Sequence, residues 1–491
     1  MPVFLLKISI KLTNETPEGI QANILQAMKH FQEDFFDASD SPSDLKAIIF
    51  GLCVAHAVLV QRKKFGEVGW NQRYPFNYGD LRACADISKE QIQFSEHLVP
   101  WQDLRFLFGD VIYGGHITDS FDRNIVFTYL ELYVCDEMHQ QSGFDIVPGM
   151  NSPTSWDEPY SSLVAHVQRQ KVQEVPESIG LHSNVEMGIM LYQERELCRC
   201  VRKLHADESQ QSRSTFVQER AGSTINEVVE KLPHAIPSPD TSLANSNESS
   251  PYARLLQQEV TAFNELVRVI RITISEIRHG LLGERQISSQ MEGTMNALAE
   301  NKVPKSWILA SYPSLRTLGA WLGDLGDRGR CLRRWCTEPN LSLPKVTWLP
   351  GLFCPTAFLS AVLQSIASRN GWPLDNCELR TEVTKKMPDE IGAPARDGAY
   401  IYGLLLEGAS WDLQTSSLEN GKFKELICEM PVILVKAVLG PDPEGLDDSF
   451  YQCPLYKTRQ RGATYAWQIG LRSKVPTSLW VMAGVALTME S

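Results

Sequence analysis

Apolar residues recur at helical spacing through most of residues 18–140. The segment GIQANILQAMKHFQEDFF has this spacing, and SPSDLKAIIFGLCVAHAVLVQRKK begins with polar residues that favour a helix start. The apolar run at 47–60 contains His56 and is shorter than the roughly 18–20 residues that cross a membrane. We therefore predict that it forms a buried core helix. Further helices are predicted in PWQDLRFLFGDVIY and SFDRNIVFTYLELYV.

Two segments differ from this helical pattern. Residues 1–10 contain the apolar, β-prone run PVFLLKISI, which predicts a strand, but no segment before it supplies a sheet. The chain is therefore predicted to begin inside a domain. Residues 203–250 are polar, with DESQQSRS and SPDTSLANSNESSP. They predict a low-complexity linker with room for one short helix around TINEVVEKL.

Helical periodicity returns after residue 254. Apolar residues are separated by alternating steps of four and three: Leu256, Val260, Phe263, Val267, Ile270, Ile274, Ile277 and Leu281. This spacing predicts a long helix that packs against other helices. A turn at HGLLGE and the apolar residues Ile287, Met291, Met295 and Leu298 predict a returning helix. A bundle core is favoured over a partner-binding coiled coil.

The pattern changes to β after residue 340. Six short β-branched or aromatic runs are bounded by turn residues: KVTWL, GAYIYGLLLEG, MPVILVKAV, YQCPLYK, ATYAWQIGL and SLWVMAGVAL. Between the first two runs, CPTAFLSAVLQSIASRNGWP predicts one helix that starts at Pro355 and stops at Asn370-Gly371. The chain is therefore predicted to be α+β, with helices first and a small barrel-like or sandwich-like region last.

The composition is that of a globular protein. Its 491 residues, 43% hydrophobic and 22% charged, suffice for two or three domains. The formal net charge of −12 argues against nucleic-acid binding, which requires a basic surface. The 11 cysteines are scattered, which favours reduced thiols, and the close pair Cys198 and Cys200 lacks the second pair of a zinc site. The first residues lack the features of a signal peptide.

The motifs of nucleotide-binding enzymes are incomplete in this sequence. The P-loop pattern is absent, because Gly421-Lys422 is followed by Phe423 and Ser416 stands where the first glycine is required. LYVCDE ends in two acidic residues, as a magnesium-binding strand does, but the run before it has helical spacing. The glycines of LGDLGDRGR lack the start of a dinucleotide fingerprint. The sequence therefore predicts no nucleotide-binding or catalytic site.

The most distinctive short segment is YGGHITDSFDR, at residues 113–123. His116, Asp119 and Asp122 are the best candidates for metal ligands in the chain. One histidine and two aspartates beside a Gly-Gly turn nevertheless indicate loop structure more strongly than a metal site. Asp119 is predicted to cap the helix that follows, and Arg123 to pair with a carboxylate.

Several longer blocks together resemble the C-terminal end of a dynein heavy chain, and they occur in the family's order. The blocks are KLTNETPEGIQANI, AHAVLVQRKKFGEVGWNQRYPFNYGDLR, PWQDLRFLFGDVIYGGHITDSFDR, VPKSWILASYPSLRTLGAWLGDL, WLPGLFCPTAFLSAVLQSIASRNGWPLD, DGAYIYGLLLEGASWD and CPLYKTRQRG. The histidine of YGGHITDSFDR resembles axonemal heavy chains more than cytoplasmic ones. Phe121 stands where the family commonly has tryptophan.

The resemblance implies an architecture. Residues 1–10 correspond to a remnant strand of the large subdomain of the sixth AAA+ module, and residues 11–140 to its helical lid. The dynein C-terminal domain follows. Its first part, at 141–250, includes the linker described above, and it continues with a helical part at 251–340 and a β-rich, barrel-like part at 341–491.

The resemblance also implies a structural role for the residues that match family motifs. They are Gly66, Gly69, Trp70, Asn71, Tyr113, Gly114, Gly115, His116, Asp119, Asp122, Arg123, Gly403, Gly408, Trp411 and Asp412. No catalytic, nucleotide-binding or metal-binding residue is implied.

The function implied is that of a non-catalytic part of an ATP-driven microtubule motor in the axoneme of cilia or flagella. Nucleotides bind in the first four modules of the family's ring and microtubules bind through a stalk, and this chain has neither. No cofactor is expected here, although the parent motor uses ATP and magnesium. The expected partners are the remainder of the heavy-chain ring and the intermediate and light chains, with no nucleic acid and no membrane.

Two alternatives to this function stay open. One is a free-standing protein, derived from the family, that binds motor or axonemal components. The other is an enzyme with a metal at His116, Asp119 and Asp122. An alternative isoform, an incomplete gene model and a separate gene are each compatible with the start at Met1.

Overall fold

The computed structural model describes residues 3–10, 17–94, 99–141, 143–205, 210–237, 250–338, 341–440 and 449–490. The chain divides into two compact units. The first comprises Met1–Glu186 with Val481–Gly484, and the second comprises Met187–Trp480 with Val485–Ser491. Both helices and sheets are present, so the α+β class is confirmed.

The first unit is built around one buried helix. Its helices are α1 (Val3–Ile8), α2 (Ile20–Met28), α3 (Glu33–Asp37), α4 (Pro42–Arg62), α5 (Gly66–Gly69), α6 (Tyr78–Phe94), α7 (Trp101–Phe106), α8 (Ser120–Tyr133), α9 (Asp136–Gln140) and α10 (Tyr160–Arg169). Helices α2, α6, α8 and α9 all pack on α4. The segment Pro42–Gly69 is long and apolar enough to cross a membrane, but 89% of its apolar window is buried inside the protein. The predicted core helix is therefore confirmed.

The strand predicted at residues 1–10 is wrong, because Val3–Ile8 forms helix α1. An isolated strand leaves its backbone N–H and C=O groups without partners, whereas a helix satisfies them within the segment. No strand pairs with this segment among the described residues. The side chains of Phe4 and Ile8 are 69% and 65% exposed.

The predicted boundary after residue 140 is also wrong, because residues 141–186 belong to the first unit. This segment contains a small hairpin of β1 (Asp145–Val147) and β2 (Met150–Asn151), followed by α10. The carboxylate of Glu33 accepts a hydrogen bond of 2.8 Å from the backbone N of Tyr160, and the Tyr160 hydroxyl donates to the Met28 carbonyl at 2.9 Å. These contacts join partners more than 120 residues apart, which local periodicity does not reveal.

The linker predicted at 203–250 is largely helical where it is described. The helices of the second unit and its borders are α11 (Val185–His205), α12 (Gln210–Lys231), α13 (Pro251–Leu281), α14 (Ser289–Ala299), α15 (Lys305–Leu309), α16 (Leu318–Cys336), α17 (Pro355–Asn370) and α18 (Thr477–Ala483). Ala221, Ile225 and Val228 are buried at helical spacing and let the otherwise polar α12 pack on α14. The remainder of the predicted linker, at 206–209 and 238–249, lies outside the described residues.

The long helix predicted after residue 254 is present as α13. Seven of the eight apolar positions of the predicted stripe, from Leu256 to Ile277, are buried. The side chain of Glu259 lies among them, is fully buried, and accepts hydrogen bonds from the backbone N of Phe353 (2.6 Å) and Cys354 (2.8 Å). Glu259 thereby satisfies donors just before the first turn of α17.

The β-rich region forms two main sheets and a hairpin. Its strands are β3 (Thr347–Trp348), β4 (Cys377–Val383), β5 (Gly398–Tyr402), β6 (Leu405–Glu407), β7 (Ala409–Asp412), β8 (Ser417–Asn420), β9 (Ile427–Glu429), β10 (Ile433–Leu439), β11 (Phe450–Tyr456), β12 (Tyr465–Arg472) and β13 (Ala486–Thr488). The strand orders are β3-β5-β10-β4 and β12-β11-β13-β6-β9, and β7 pairs with β8.

The two main sheets approach each other along β4 and β12. The hydroxyl of Thr381 accepts a hydrogen bond of 3.1 Å from Gly470 N and donates one of 3.4 Å to Gly470 O, in place of a backbone ladder. The described strands therefore form open sheets, and closure into a barrel stays a prediction. The run SLWVMAGVAL, predicted as one strand, contains helix α18 and then β13, since Gly484 takes a φ of +68° between them.

Candidate functional site

The segment YGGHITDSFDR places Asp119 at the start of α8. Asp119 is the N-cap of this helix, and its Oδ1 accepts hydrogen bonds from the backbone N of Phe121 (2.9 Å) and Asp122 (3.1 Å). The side-chain amide of Asn71 donates to the same oxygen at 3.1 Å. Asp119 therefore caps its helix as predicted, and it also attaches the loop around residue 71 to that helix.

Asp122 is a fully buried carboxylate that holds the same loop. It accepts hydrogen bonds from Asn71 N (3.0 Å), Gln72 N (3.3 Å) and the Tyr74 hydroxyl (2.7 Å). Burial raises the pKa of Asp122 to about 6, although these hydrogen bonds act in the opposite direction. The carboxylate thus binds the protein's own donors.

The two glycines of the Gly-Gly pair differ in how closely other atoms approach them. Residues Leu107–Ile112 form a π-helix, and a Cβ on Gly114 would lie 2.2 Å from the carbonyl oxygen of Gly109. A Cβ on Gly115 would meet no atom within 4 Å. The close approach thus requires the first glycine and not the second.

Arg123 closes this turn through its guanidinium. It donates to the Asp110 carboxylate at 2.7 Å and to the Ile117 carbonyl at 3.0 Å. The carboxylate partner that the sequence predicted for Arg123 is therefore present, within the π-helix. Because both contacts are local, Arg123 stabilises the path of the chain from the π-helix into α8.

His116 is separated from the two aspartates with which it was considered. Its Nε2 lies 3.0 Å from Oδ1 of Asp80, on α6, whereas Asp119 and Asp122 bind backbone and side-chain donors. Among the residues that the structure describes, no group of three or more His, Cys, Asp or Glu side chains is arranged to hold a metal ion. The geometry brings the candidate residues into one region without forming a common ligand set.

Tyr113, the first residue of the segment, reaches into the core. Its hydroxyl lies 2.9 Å from Nδ1 of His56 on α4, and both side chains are buried. Burial lowers the pKa of His56 to about 4, so this imidazole is neutral at pH 7. The pair joins the segment to the central helix by a neutral hydrogen bond.

The earlier motif residues form a tight turn against the end of α4. Gly66 has a φ of +54°, and a Cβ on Gly69 would lie 2.0 Å from the carbonyl oxygen of Arg62. The indole of Trp70 donates to the Leu59 carbonyl at 3.2 Å and packs edge-on against Tyr74. The positive φ favours glycine at position 66, whereas close packing against Arg62 requires it at position 69.

Arg62 is an important residue that the sequence interpretation missed. Its guanidinium is fully buried and donates to Gly69 O (3.0 Å), the Tyr129 hydroxyl (2.7 Å) and Met482 O (2.7 Å). The sequence could have indicated its burial, because Arg62 lies one turn after the apolar Val58 on the same face of α4. This arginine holds three segments of the first unit together through neutral acceptors.

The remaining motif residues lie in the second unit. Gly403 has a φ of +89°, and a Cβ there would lie 2.7 Å from the Trp348 ring, while Gly408 has a φ of +86°. Trp411 is largely buried in β7, and Asp412 accepts hydrogen bonds from the backbone N of two residues in the following turn, at 2.9 and 3.1 Å. Hydrogen bonds from Thr415 and Gln414 lower the pKa of Asp412. This second group is distinct from the first and is also engaged in turns.

Comparison with protein families assigns both parts of the chain. The family model of the AAA lid domain of dynein heavy chains matches residues 45–185. The model of the C-terminal domain of dynein heavy chains matches residues 192–489. The junction between the two matches lies close to the border between the compact units at Glu186.

Individual relatives agree with these matches. The chain is 38% identical to the ciliary dynein beta chain of Heliocidaris crassispina, and 37% identical to dynein axonemal heavy chain 17 of Homo sapiens. It is 39% identical to the dynein beta chain of the flagellar outer arm of Chlamydomonas reinhardtii. Each alignment covers 100% of this chain but only 11% of the relative. The present sequence thus corresponds to about a ninth of each relative's length.

Proposed function

The chain belongs to the dynein heavy-chain family, and we propose that it serves as the non-catalytic C-terminal portion of an axonemal heavy chain. The observation that carries this proposal is the succession of a lid domain and a C-terminal domain that together account for residues 45–185 and 192–489. In this role the chain helps to complete the AAA+ ring of a microtubule motor in a cilium or flagellum, and ATP and magnesium bind elsewhere in that motor. Its partners are the rest of the ring and, in the whole complex, intermediate and light chains.

The motif residues have a structural role in this proposal. Asp119, Asp122 and Arg123 bind donors or acceptors of their own unit, which supports a packing role over catalysis. The β-rich region of the second unit serves as a barrel-like support, with Thr381 connecting the two open sheets. ATP hydrolysis in the other modules then affects this region only by displacing it mechanically.

Two measurements test the proposed function. An antibody raised against the second unit should detect, in axonemes, a polypeptide as long as a whole dynein heavy chain. A signal confined to a 491-residue protein would favour the free-standing alternative. The purified protein should not hydrolyse ATP above the background of a sample treated identically without it. Turnover that copurifies with the protein would contradict the non-catalytic assignment.

A further inference from the structure

The last strand of the described chain lies at the centre of a sheet. Strand β13 pairs in parallel with β11 and antiparallel with β6, so that Leu487 lies opposite both Leu455 and Leu406. Both edges of β13 are therefore occupied, although each pairing extends over only two or three residues. The segment Val485–Glu490 is held in the slot between two strands that precede it in the chain.

The slot is mainly apolar. Val485, Ala486 and Leu487 are at most 1% exposed and Met489 is 8% exposed. The Tyr451 hydroxyl donates to Val485 O at 2.8 Å, and Met489 N donates to Tyr456 O at 3.0 Å, so that hydrogen bonds hold both ends of the segment. Such a site combines main-chain pairing with side-chain pockets, which is how sheets bind added strands.

A carboxylate seat lies at the end of the slot. Glu490 is 7% exposed, and its carboxylate accepts hydrogen bonds from Leu315 N at 2.8 Å and from the Ser314 hydroxyl. Arg316 Nε lies 3.4 Å from the same carboxylate. Three donors from one short loop thus converge on a single acidic side chain. Charge-assisted hydrogen bonds of this kind are stronger than neutral ones.

The seat belongs to a small cleft whose other charges nearly cancel and leave an excess of one positive charge. Asp324 accepts from Arg328 Nε at 2.7 Å and from Arg316 Nη1 at 2.9 Å. Lys457 also lines the cleft, and the buried Glu259 contributes a negative charge that acts on Lys457 and Arg328. Apart from Glu490, three positive groups (Arg316, Arg328 and Lys457) face two negative ones (Asp324 and Glu259). The cleft therefore favours one added carboxylate at the seat and not a highly charged anion.

We propose that this slot and seat form a binding site for an extended peptide with an apolar strand followed by an acidic residue. In the structure, the chain's own segment Val485–Glu490 occupies the site, with the acid three residues after Leu487. The segment can leave the site and bind again while the remainder of the second unit keeps its fold. A segment of the same chemistry supplied separately competes for the same site.

The test starts from the whole folded protein. A protease recognition sequence is inserted between Gly484 and Val485, the folded protein is cleaved there, and uncleaved protein provides the reference. A labelled, C-terminally amidated peptide with the sequence of Val485–Glu490 should exchange into the site and raise the fluorescence anisotropy. A peptide with Glu490→Gln should bind at least about tenfold more weakly, because it loses a charge-assisted contact. A peptide with Leu487→Asp should not bind.

Variants of the protein itself complement the peptide variants, with one arginine at the seat and one control arginine away from it. Arg316→Gln in the protein should weaken binding of the wild-type peptide about tenfold and reduce the difference in affinity between the wild-type peptide and the Glu490→Gln peptide. Arg472→Gln, an exposed arginine on β12 of the same sheet, should leave binding unchanged. Failure of the labelled peptide to exchange, equal binding of the two peptides, or unfolding of the second unit after cleavage would each overturn the proposal.

Discussion

The Tyr74 hydroxyl donates a hydrogen bond of 2.7 Å to the carboxylate of Asp122, 48 residues further along the chain. Both side chains are buried, and the same carboxylate accepts from the backbone N of Asn71 and Gln72. This buried acid therefore positions the loop between α5 and α6 against the first turn of α8. The Tyr74–Asp122 hydrogen bond is thus a long-range contact that joins two of the motif segments of the first unit.

Removing either partner should destabilise the first unit. Tyr74→Phe removes a hydrogen bond to a charged acceptor and should lower the free energy of unfolding by about 1.5–3 kcal/mol. Asp122→Ala leaves three donors without an acceptor and should cost at least as much. Urea unfolding of both single variants and the double variant should give a loss smaller than the sum. Tyr192→Phe, at a 65% exposed tyrosine, should stay within about 0.5 kcal/mol of the wild type.

The buried Asp122 carboxyl also predicts a pH dependence. Burial raises the pKa of Asp122 from 3.8 to about 6, so the folded protein holds this proton more tightly than the unfolded chain does. The stabilisation from this group is therefore complete below about pH 4 and is lost as the pH rises to about 6. Relative to Asp122→Asn, the wild type should lose up to about 3 kcal/mol of unfolding free energy over this interval. A difference that is constant from pH 4 to 7 would contradict the assignment.

The two adjacent glycines provide a matched comparison. Gly114→Ala places a Cβ 2.2 Å from the Gly109 carbonyl oxygen, where backbone must move, and should cost about 1–3 kcal/mol of unfolding free energy. Gly115→Ala introduces the same atom into open space and should change that free energy by less than about 0.5 kcal/mol. Thermal unfolding of both variants checks this, and equal losses would show that general helix propensity, not the close contact, is responsible.

Sequence patterns predicted the features that depend on neighbouring residues. The apolar repeat of α13 identified its buried face, and Asp119 was identified as a cap because a cap and its donors lie within three residues. Arg123 and Asp110 are also close in sequence, at 13 residues. The periodicity of a helix reveals the first feature and the residue preference of a helix start the second, whereas for Arg123 the sequence predicted a carboxylate partner without identifying Asp110.

Features that depend on distant partners could not be predicted in this way. The contacts of Asp122 with Tyr74 and of His116 with Asp80 span 48 and 36 residues, and the sequence patterns identified neither Tyr74 nor Asp80 as a partner. The strand predicted at residues 1–10 was wrong for a related reason, because a β-prone run becomes a strand only where another strand pairs with it. Burial of Ala221, Ile225 and Val228 likewise organises a helix within a sequence whose composition indicates a linker.

Glu407, on β6, forms a buried ion cluster with two arginines. Glu407 is 5% exposed and binds Arg459 at 2.6 Å and Arg461 at 3.1 Å. Burial alone would raise the pKa of Glu407, but Arg461 and Arg459 outweigh it and hold the pKa below its usual value. Glu407→Gln leaves two arginines without their counter-charge, one of them fully buried, and should lower the unfolding free energy by about 3–5 kcal/mol at pH 7.

This loss should also depend on pH in a defined direction. Because the folded pKa of Glu407 is depressed, its stabilisation is present above about pH 4.5 and disappears as the pH falls through the folded value. The gap between the wild type and Glu407→Gln should therefore narrow in acid. Glu429→Gln, at an exposed position on the adjacent strand β9, should match the wild type within about 0.5 kcal/mol throughout. Urea unfolding between pH 3.5 and 7 measures both, and a gap that widens in acid would exclude an ionised Glu407 as the counter-charge of the two arginines.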